Sequence, residues 1–66
     1  MNKREASKLL FSVQDNYVRA IKSFERAERY SDRGYTTKAL EQRDKGFADI
    51  RKAEAAIAKL EAIINE

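Results

Sequence analysis

The sequence lacks several residue types that small proteins use for stability and chemistry. Its 66 residues include no Cys, no His and no Pro, and only two Gly. Without Cys and His, disulfides and the commonest transition-metal ligands are excluded, and we expect neither a metal nor a cofactor. The shortage of turn residues favours long helices. A chain of this length is marginally stable alone, so we expect self-association to add stability.

The composition gives little support to enzyme chemistry. General acid–base catalysis most often uses His, and Cys is a common nucleophile, but the sequence has neither. Ser7, Ser12, Ser23 and Ser31 stand in no pattern that would supply an activating base. A Gly-rich phosphate loop is also missing. We therefore expect a non-enzymatic protein.

The first residues favour a cytoplasmic location. The segment MNKREASKLLF contains an apolar run of only three residues, so it predicts neither a signal peptide nor a membrane span. The net charge is +3, with the excess in residues 1–33. A charge of this size does not by itself imply a nucleic-acid partner.

Apolar residues recur with heptad spacing in both halves of the chain. In the first half, steps of four and three connect Ala6, Leu10, Val13, Tyr17, Ala20, Phe24 and Ala27. In the second half, similar steps connect Gly46, Ile50, Ala53, Ile57, Leu60 and Ile64. The spacing predicts a helix over about 3–32 and another over about 37–65, in a single domain covering 1–66. Asn2 and Glu5 stand at the positions of a capping box.

A turn at about residues 33–36 separates the two predicted helices. Gly34 suits the left-handed residue that ends a helix, and Thr36 can cap the next one. Tyr35 and Leu40 occupy the positions of a hydrophobic staple, and Tyr30 can pack with Tyr35 over the turn. A turn this short makes the helices antiparallel neighbours. The predicted fold is therefore all-α, a coiled-coil-like two-helix hairpin that dimerises into a four-helix bundle.

Folding the chain about this turn predicts which residues meet. Leu10 should lie near Ile57, Tyr17 near Ile50, and Ala20 near Gly46 in the second helix. Gly46 either permits close helix approach or breaks the second helix into two, since Gly within a helix costs about 1 kcal/mol relative to Ala. We expect one continuous helix.

Both halves also carry more apolar residues than one helix contact can cover. A helix that is apolar around most of its circumference is usually covered on more than one side. The excess predicts a protein interface, either with a second copy or with another protein. Its expected anchors are Phe11, Val18, Ile57, Leu60 and Ile64.

Five cationic residues of the first helix form a second candidate contact surface. They recur at steps of three and four on one helix face, which we call the basic stripe: Arg19, Lys22, Arg26, Arg29 and Arg33. Such a row can neutralise phosphates of a nucleic acid or contact an acidic protein. It is also typical of a solvated outer face, because acidic residues flank it and Asp15 can pair with Arg19.

We expect a small regulator or adaptor that binds and modulates a larger protein through its helix faces, as a homodimer. The predicted architecture is similar to that of the Rop family of plasmid copy-number regulators, although the two share no sequence motif. The resemblance implies a dimeric four-helix bundle that binds RNA. A nucleic-acid-binding regulator that uses the basic stripe, and a structural or assembly subunit, are therefore the alternatives.

Overall fold

The computed structural model describes residues 3–65 and has the predicted all-α hairpin fold. Helix α1 spans Lys3–Asp32, and helix α2 spans Thr36–Ile64. The helices pack along each other, and residues 3–65 contain no strand. Both helices begin and end within one residue of the predicted bounds. The predicted cap at Asn2 lies outside the described residues.

Residues 30–35 end α1 in a Schellman motif. Gly34 has a φ of 81°, which its missing Cβ permits. The Tyr35 N–H donates to the Tyr30 carbonyl at 2.8 Å, and the Gly34 N–H donates to the Ser31 carbonyl at 3.0 Å. These two bonds satisfy carbonyls that the helix end would otherwise leave unpaired. The predicted role of Gly34 is confirmed.

The prediction that Thr36 caps the start of α2 is wrong. Thr36 is the first helical residue, Tyr35 occupies the N-cap position, and no side chain makes a capping hydrogen bond there. The Tyr35 carbonyl accepts the first helical bond from the Ala39 N–H at 2.9 Å. With the cap one residue earlier, Tyr35 and Leu40 no longer occupy staple positions. The Tyr35 ring instead lies 6.3 Å from the Tyr30 ring, the contact that accompanies a Schellman motif.

Along the middle of the hairpin the two helices meet mainly through small residues, and this differs from the predicted interface. In α1, Ala20 and Ser23 are buried. The buried residues of α2 continue the same heptad spacing and are Gly46, Asp49, Ala53, Ala56 and Ile63. Predicted contact residues such as Leu10 and Tyr17 are exposed instead, at 56% and 39%.

The reason for this error is that two heptad patterns share half of their positions. Ala20, Gly46 and Ala53 belong to both the predicted and the observed interface. The other predicted positions lie one residue along the chain from the observed ones, about 100° around the helix. Smaller residues at a helix contact permit a shorter distance between the helix axes than larger residues do. We call the observed contact the small-residue interface.

Gly46 lies within this interface, and α2 continues through it. A Cβ built on Gly46 would lie 2.8 Å from both Cε1 and Cζ of Phe24. The glycine therefore makes room for an aromatic ring that packs across from α1. Of the two interpretations of Gly46, a break in α2 is wrong, and the expected continuous helix is confirmed.

Within residues 3–65, neither helix is long and apolar enough to cross a membrane.

Candidate contact surfaces

The small-residue interface leaves seven of the larger apolar side chains on one side of the hairpin. In α1, three large residues each lie one residue after one interface position and four after another: Leu10, Tyr17 and Phe24. In α2, the same holds for Ile50, Ile57 and Ile64. Both series therefore flank the interface on the same side, as the edge contact between Phe24 and Phe47 at 5.2 Å also indicates. This apolar face consists of Leu10, Tyr17, Phe24, Phe47, Ile50, Ile57 and Ile64.

Most of the apolar face is accessible to solvent. Leu10, Tyr17, Phe47 and Ile64 are exposed, and the three other members are half-buried. Contiguous apolar surface of this kind on a soluble protein usually marks a contact site. Fully burying a large apolar side chain stabilises a protein by about 1.5–3 kcal/mol relative to its exposed state. Covering this face would therefore add substantial stability.

The structure distributes the predicted interface anchors over two surfaces. Ile57 and Ile64 belong to the apolar face, and Leu60 is half-buried beside them. Phe11 and Val18 lie elsewhere, because the helical period places them on the side of α1 opposite Ala20. Phe11 is 71% exposed and, with Val18, borders a shallow depression of about 240 Å³. We call these two residues the outer strip.

The basic stripe lies beside the small-residue interface, on the edge of the hairpin away from the apolar face. The sequence predicted that the basic stripe lies opposite the interface. That prediction is wrong, because the observed interface follows a different heptad pattern. Its first three residues now face cations from α2 across a cleft of about 400 Å³. This basic cleft is lined by Arg19, Lys22, Ser23, Arg26, Lys45, Ala48, Asp49 and Lys52. Arg29 and Arg33 do not line it.

Hydrogen bonds and ion pairs fix part of the cleft rim. The Arg26 Nε donates to Gln42 Oε1 at 3.0 Å, so this guanidinium bridges the two helices. Its Nη2 also lies 3.4 Å from Ser23 Oγ. Arg19 Nε lies 3.0 Å from Asp15 Oδ2, as the sequence spacing predicted. Because that pair is exposed, it contributes no more than about 1 kcal/mol.

Asp49 forms the floor of the basic cleft and is only 5% exposed. Its Oδ1 lies 4.0 Å from Lys52 Nζ, a long ion pair. Its Oδ2 is buried and has no hydrogen-bond partner among the residues that the structure describes. A buried carboxylate oxygen without a partner is costly and calls for an explanation. The predicted heptad pattern gave no warning of it, because that pattern ran through Gly46, Ile50 and Ala53 and left Asp49 outside the interface.

At the hairpin tip, Lys38 adds a contact that sequence reasoning missed. Its Nζ lies 5.7 Å from the Tyr30 ring centroid and 5.5 Å from that of Tyr35. A cation over aromatic faces at this distance is stabilising. The two tyrosines therefore pack over the turn and engage a lysine of the same chain.

No group of three or more carboxylates within residues 3–65 is arranged to hold a metal ion. Comparison of the chain with protein-family models, with curated proteins and with solved structures gives no significant match.

Proposed function

We propose that the protein is a non-enzymatic regulator or adaptor that dimerises through its apolar face and binds a larger protein. The observation that supports this proposal is how little the hairpin buries on its own. Within residues 3–65, the largest side chain that is completely buried is Ser23. Stable domains bury their apolar surface between at least two layers, and the hairpin is a single layer.

A second copy of the chain is well suited to supply the missing layer. The apolar face runs along both helices from Leu10 to Phe24 and from Phe47 to Ile64, and none of its seven members is charged. Two such faces related by a twofold axis would therefore bring no like charges together among these seven residues. The result is a four-helix bundle whose centre holds the large residues that the hairpin leaves exposed.

The outer strip remains available for a larger protein in this arrangement. Phe11 and Val18 lie on the side of α1 opposite α2, where a partner packed on the apolar face does not reach. Exposed aromatic residues are enriched in protein interfaces. A groove on a partner could receive α1 through these two residues, which lie two helical turns apart.

The dimer is tested by placing a charge in the apolar face. Ile57→Lys should convert the dimer into a monomer or unfold the chain, because the lysine would be desolvated in the bundle centre. Ala58→Lys is the matched control, since Ala58 is exposed and lies one residue away on the outer side of α2. Sedimentation equilibrium measures both masses. Equal dimer masses for the two variants would contradict the proposed interface, and open-ended growth with concentration would indicate an assembly subunit instead.

A second function, a nucleic-acid-binding regulator, is supported by one specific observation. The first three residues of the basic stripe are joined by Lys45 and Lys52 from α2, so cations of both helices face one cleft. Lys22→Glu with Lys45→Glu should abolish binding to an oligonucleotide and reduce its salt dependence. Phe11→Asp should leave that binding intact while weakening a protein contact at the outer strip. Oligonucleotide binding that survives the two lysine substitutions but is lost in Phe11→Asp would exclude this second function.

A further inference from the structure

We infer that the basic cleft binds single-stranded nucleic acid, with phosphates at the cationic rim and a ligand O–H or N–H group donating to the carboxylate of Asp49. The inference rests on the second function above and names its site and ligand chemistry. It starts from two independent observations. Five cations line one cleft of about 400 Å³, and the floor of the same cleft carries a buried carboxylate oxygen without a partner.

The rim defines the charge of the ligand. Arg19, Lys22, Arg26, Lys45 and Lys52 contribute five positive charges, against the carboxylate of Asp49 at the floor. The exposed Asp15 carboxylate neutralises part of the positive charge of Arg19. The remaining excess is positive and comes from both helices, so a ligand with several phosphates along one strand would contact both walls.

The floor requires a hydrogen-bond donor. An ionised carboxylate only accepts hydrogen bonds, so Asp49 would repel a simple anion that entered the cleft to its full depth. A nucleic acid strand satisfies both requirements, because its phosphates are anionic while its bases and, in RNA, its 2′-hydroxyls donate hydrogen bonds. A single strand is favoured over a duplex, because its Watson–Crick donors are free to enter the cleft, whereas a duplex presents only the donors at its groove edges.

The cleft stays open when the apolar face is covered. The stripe residues that line it and the apolar face flank the small-residue interface on opposite edges of the hairpin. A four-helix bundle built on the apolar face would therefore carry two basic clefts on its outside, one for each chain. Nucleic-acid binding and dimerisation are thus compatible.

The first measurement compares three strands by fluorescence anisotropy: a short single-stranded RNA, the DNA of the same sequence, and an abasic strand of the same length. We expect the wild-type protein to bind all three. Lys22→Gln with Lys45→Gln should lower the slope of log K against log salt by about 1.4, at about 0.7 for each lost phosphate contact. Arg51→Gln is the control, because Arg51 is exposed on the outer side of α2 and does not line the cleft. An unchanged slope in the cleft variant would contradict the inference.

Asp49→Ala tests the floor of the cleft. Removing a negative charge should strengthen binding of the abasic strand. If Asp49 accepts a ligand hydrogen bond, binding of the RNA relative to the abasic strand should fall by about tenfold or more. A fall for RNA alone identifies the 2′-hydroxyl as donor, whereas an equal fall for RNA and DNA identifies the base. Equal strengthening for all three strands would overturn the role of Asp49.

Two further measurements keep the inference testable if Asp49→Ala disturbs folding. Asp49→Asn keeps an acceptor oxygen without the charge, and it should preserve the preference for RNA over the abasic strand. In the wild-type protein, the NMR resonance of the Asp49 carboxyl carbon should shift on adding RNA and not on adding the abasic strand. Failure of the wild type to bind any strand would overturn the nucleic-acid function itself, as would tighter binding to a poly-glutamate peptide.

Discussion

Gly46→Ala is a substitution whose effect on stability should depend on one ring of the opposite helix. Alanine within a helix is favoured over glycine by about 1 kcal/mol. The new Cβ, however, would lie 2.8 Å from two atoms of the Phe24 ring, about 0.6 Å short of an ordinary contact at 3.4 Å. Overpacking of this kind costs about 1–3 kcal/mol. The net effect should be a loss of about 0–2 kcal/mol.

Removing the Phe24 ring should reverse the sign of the stability change that Gly46→Ala causes. In a Phe24→Ala background the new methyl group meets no ring, so Gly46→Ala should stabilise the protein by about 1 kcal/mol. The coupling energy of this double-mutant cycle is then about 1–3 kcal/mol. Urea unfolding followed by circular dichroism measures all four variants, at one fixed protein concentration because dimerisation changes apparent stability.

Ala58→Gly provides the control for this cycle. Ala58 is exposed on α2, so its replacement should cost about 1 kcal/mol in both backgrounds. If Gly46→Ala has the same effect with and without the Phe24 ring, the contact across the helices is not what requires glycine at this position. That result would refute the close packing described here.

Three other substitutions test separate parts of the hairpin by the same unfolding measurement. Gly34→Ala should destabilise it by about 1–2 kcal/mol, because the φ of 81° is strained for a residue with a Cβ although no atom lies within 4 Å of the new methyl group. Lys38→Ala should cost about 0.5–1 kcal/mol through the lost contact with two tyrosine rings, and no loss would show that this contact is not formed. Ala53→Leu should cost about 1–3 kcal/mol because Ala53 is fully buried, whereas Ala55→Leu on an exposed position should change stability by no more than about 0.5 kcal/mol. Equal effects at these two alanines would contradict the observed heptad pattern.

The sequence predicted the hairpin well because its two helices and its turn depend on local signals. Heptad spacing and the lack of proline predicted long helices, and Gly34 marked the turn through its freedom to adopt a positive φ. The predicted N-cap of α2 was wrong by one residue. The Tyr35 N–H takes part in the Schellman motif that ends α1, and Tyr35, rather than Thr36, occupies the N-cap.

The packing side of each helix could not be predicted from apolar spacing alone. Leu10 and Tyr17 are apolar at heptad spacing just as the interface residues are, so the pattern did not distinguish the two sides. The two sides differ in residue size, since the interface contains Ser23, Gly46 and Ala53, whereas Leu10 and Tyr17 are exposed. Hydrophobicity predicted that Leu10 and Tyr17 would pack inside the hairpin, whereas the structure leaves them exposed.

The candidate surfaces were predicted in part. The sequence indicated excess apolar residues and a basic stripe, but residue spacing describes α1 and α2 only one at a time. Only the fold brings Lys45 and Lys52 to the stripe, and only the fold buries Asp49 beneath them. Such a site depends on the rotation of one helix against the other, and a spacing rule within one helix does not contain that information.

The most direct test of the proposed function is the mass of the unmodified protein in solution. Sedimentation equilibrium over a range of concentrations should give twice the chain mass of 7.6 kDa, with helical circular dichroism throughout. A second copy would then cover the apolar face. A stable, fully helical monomer of 7.6 kDa at every concentration would contradict the account, because the exposed apolar face would then need no second layer.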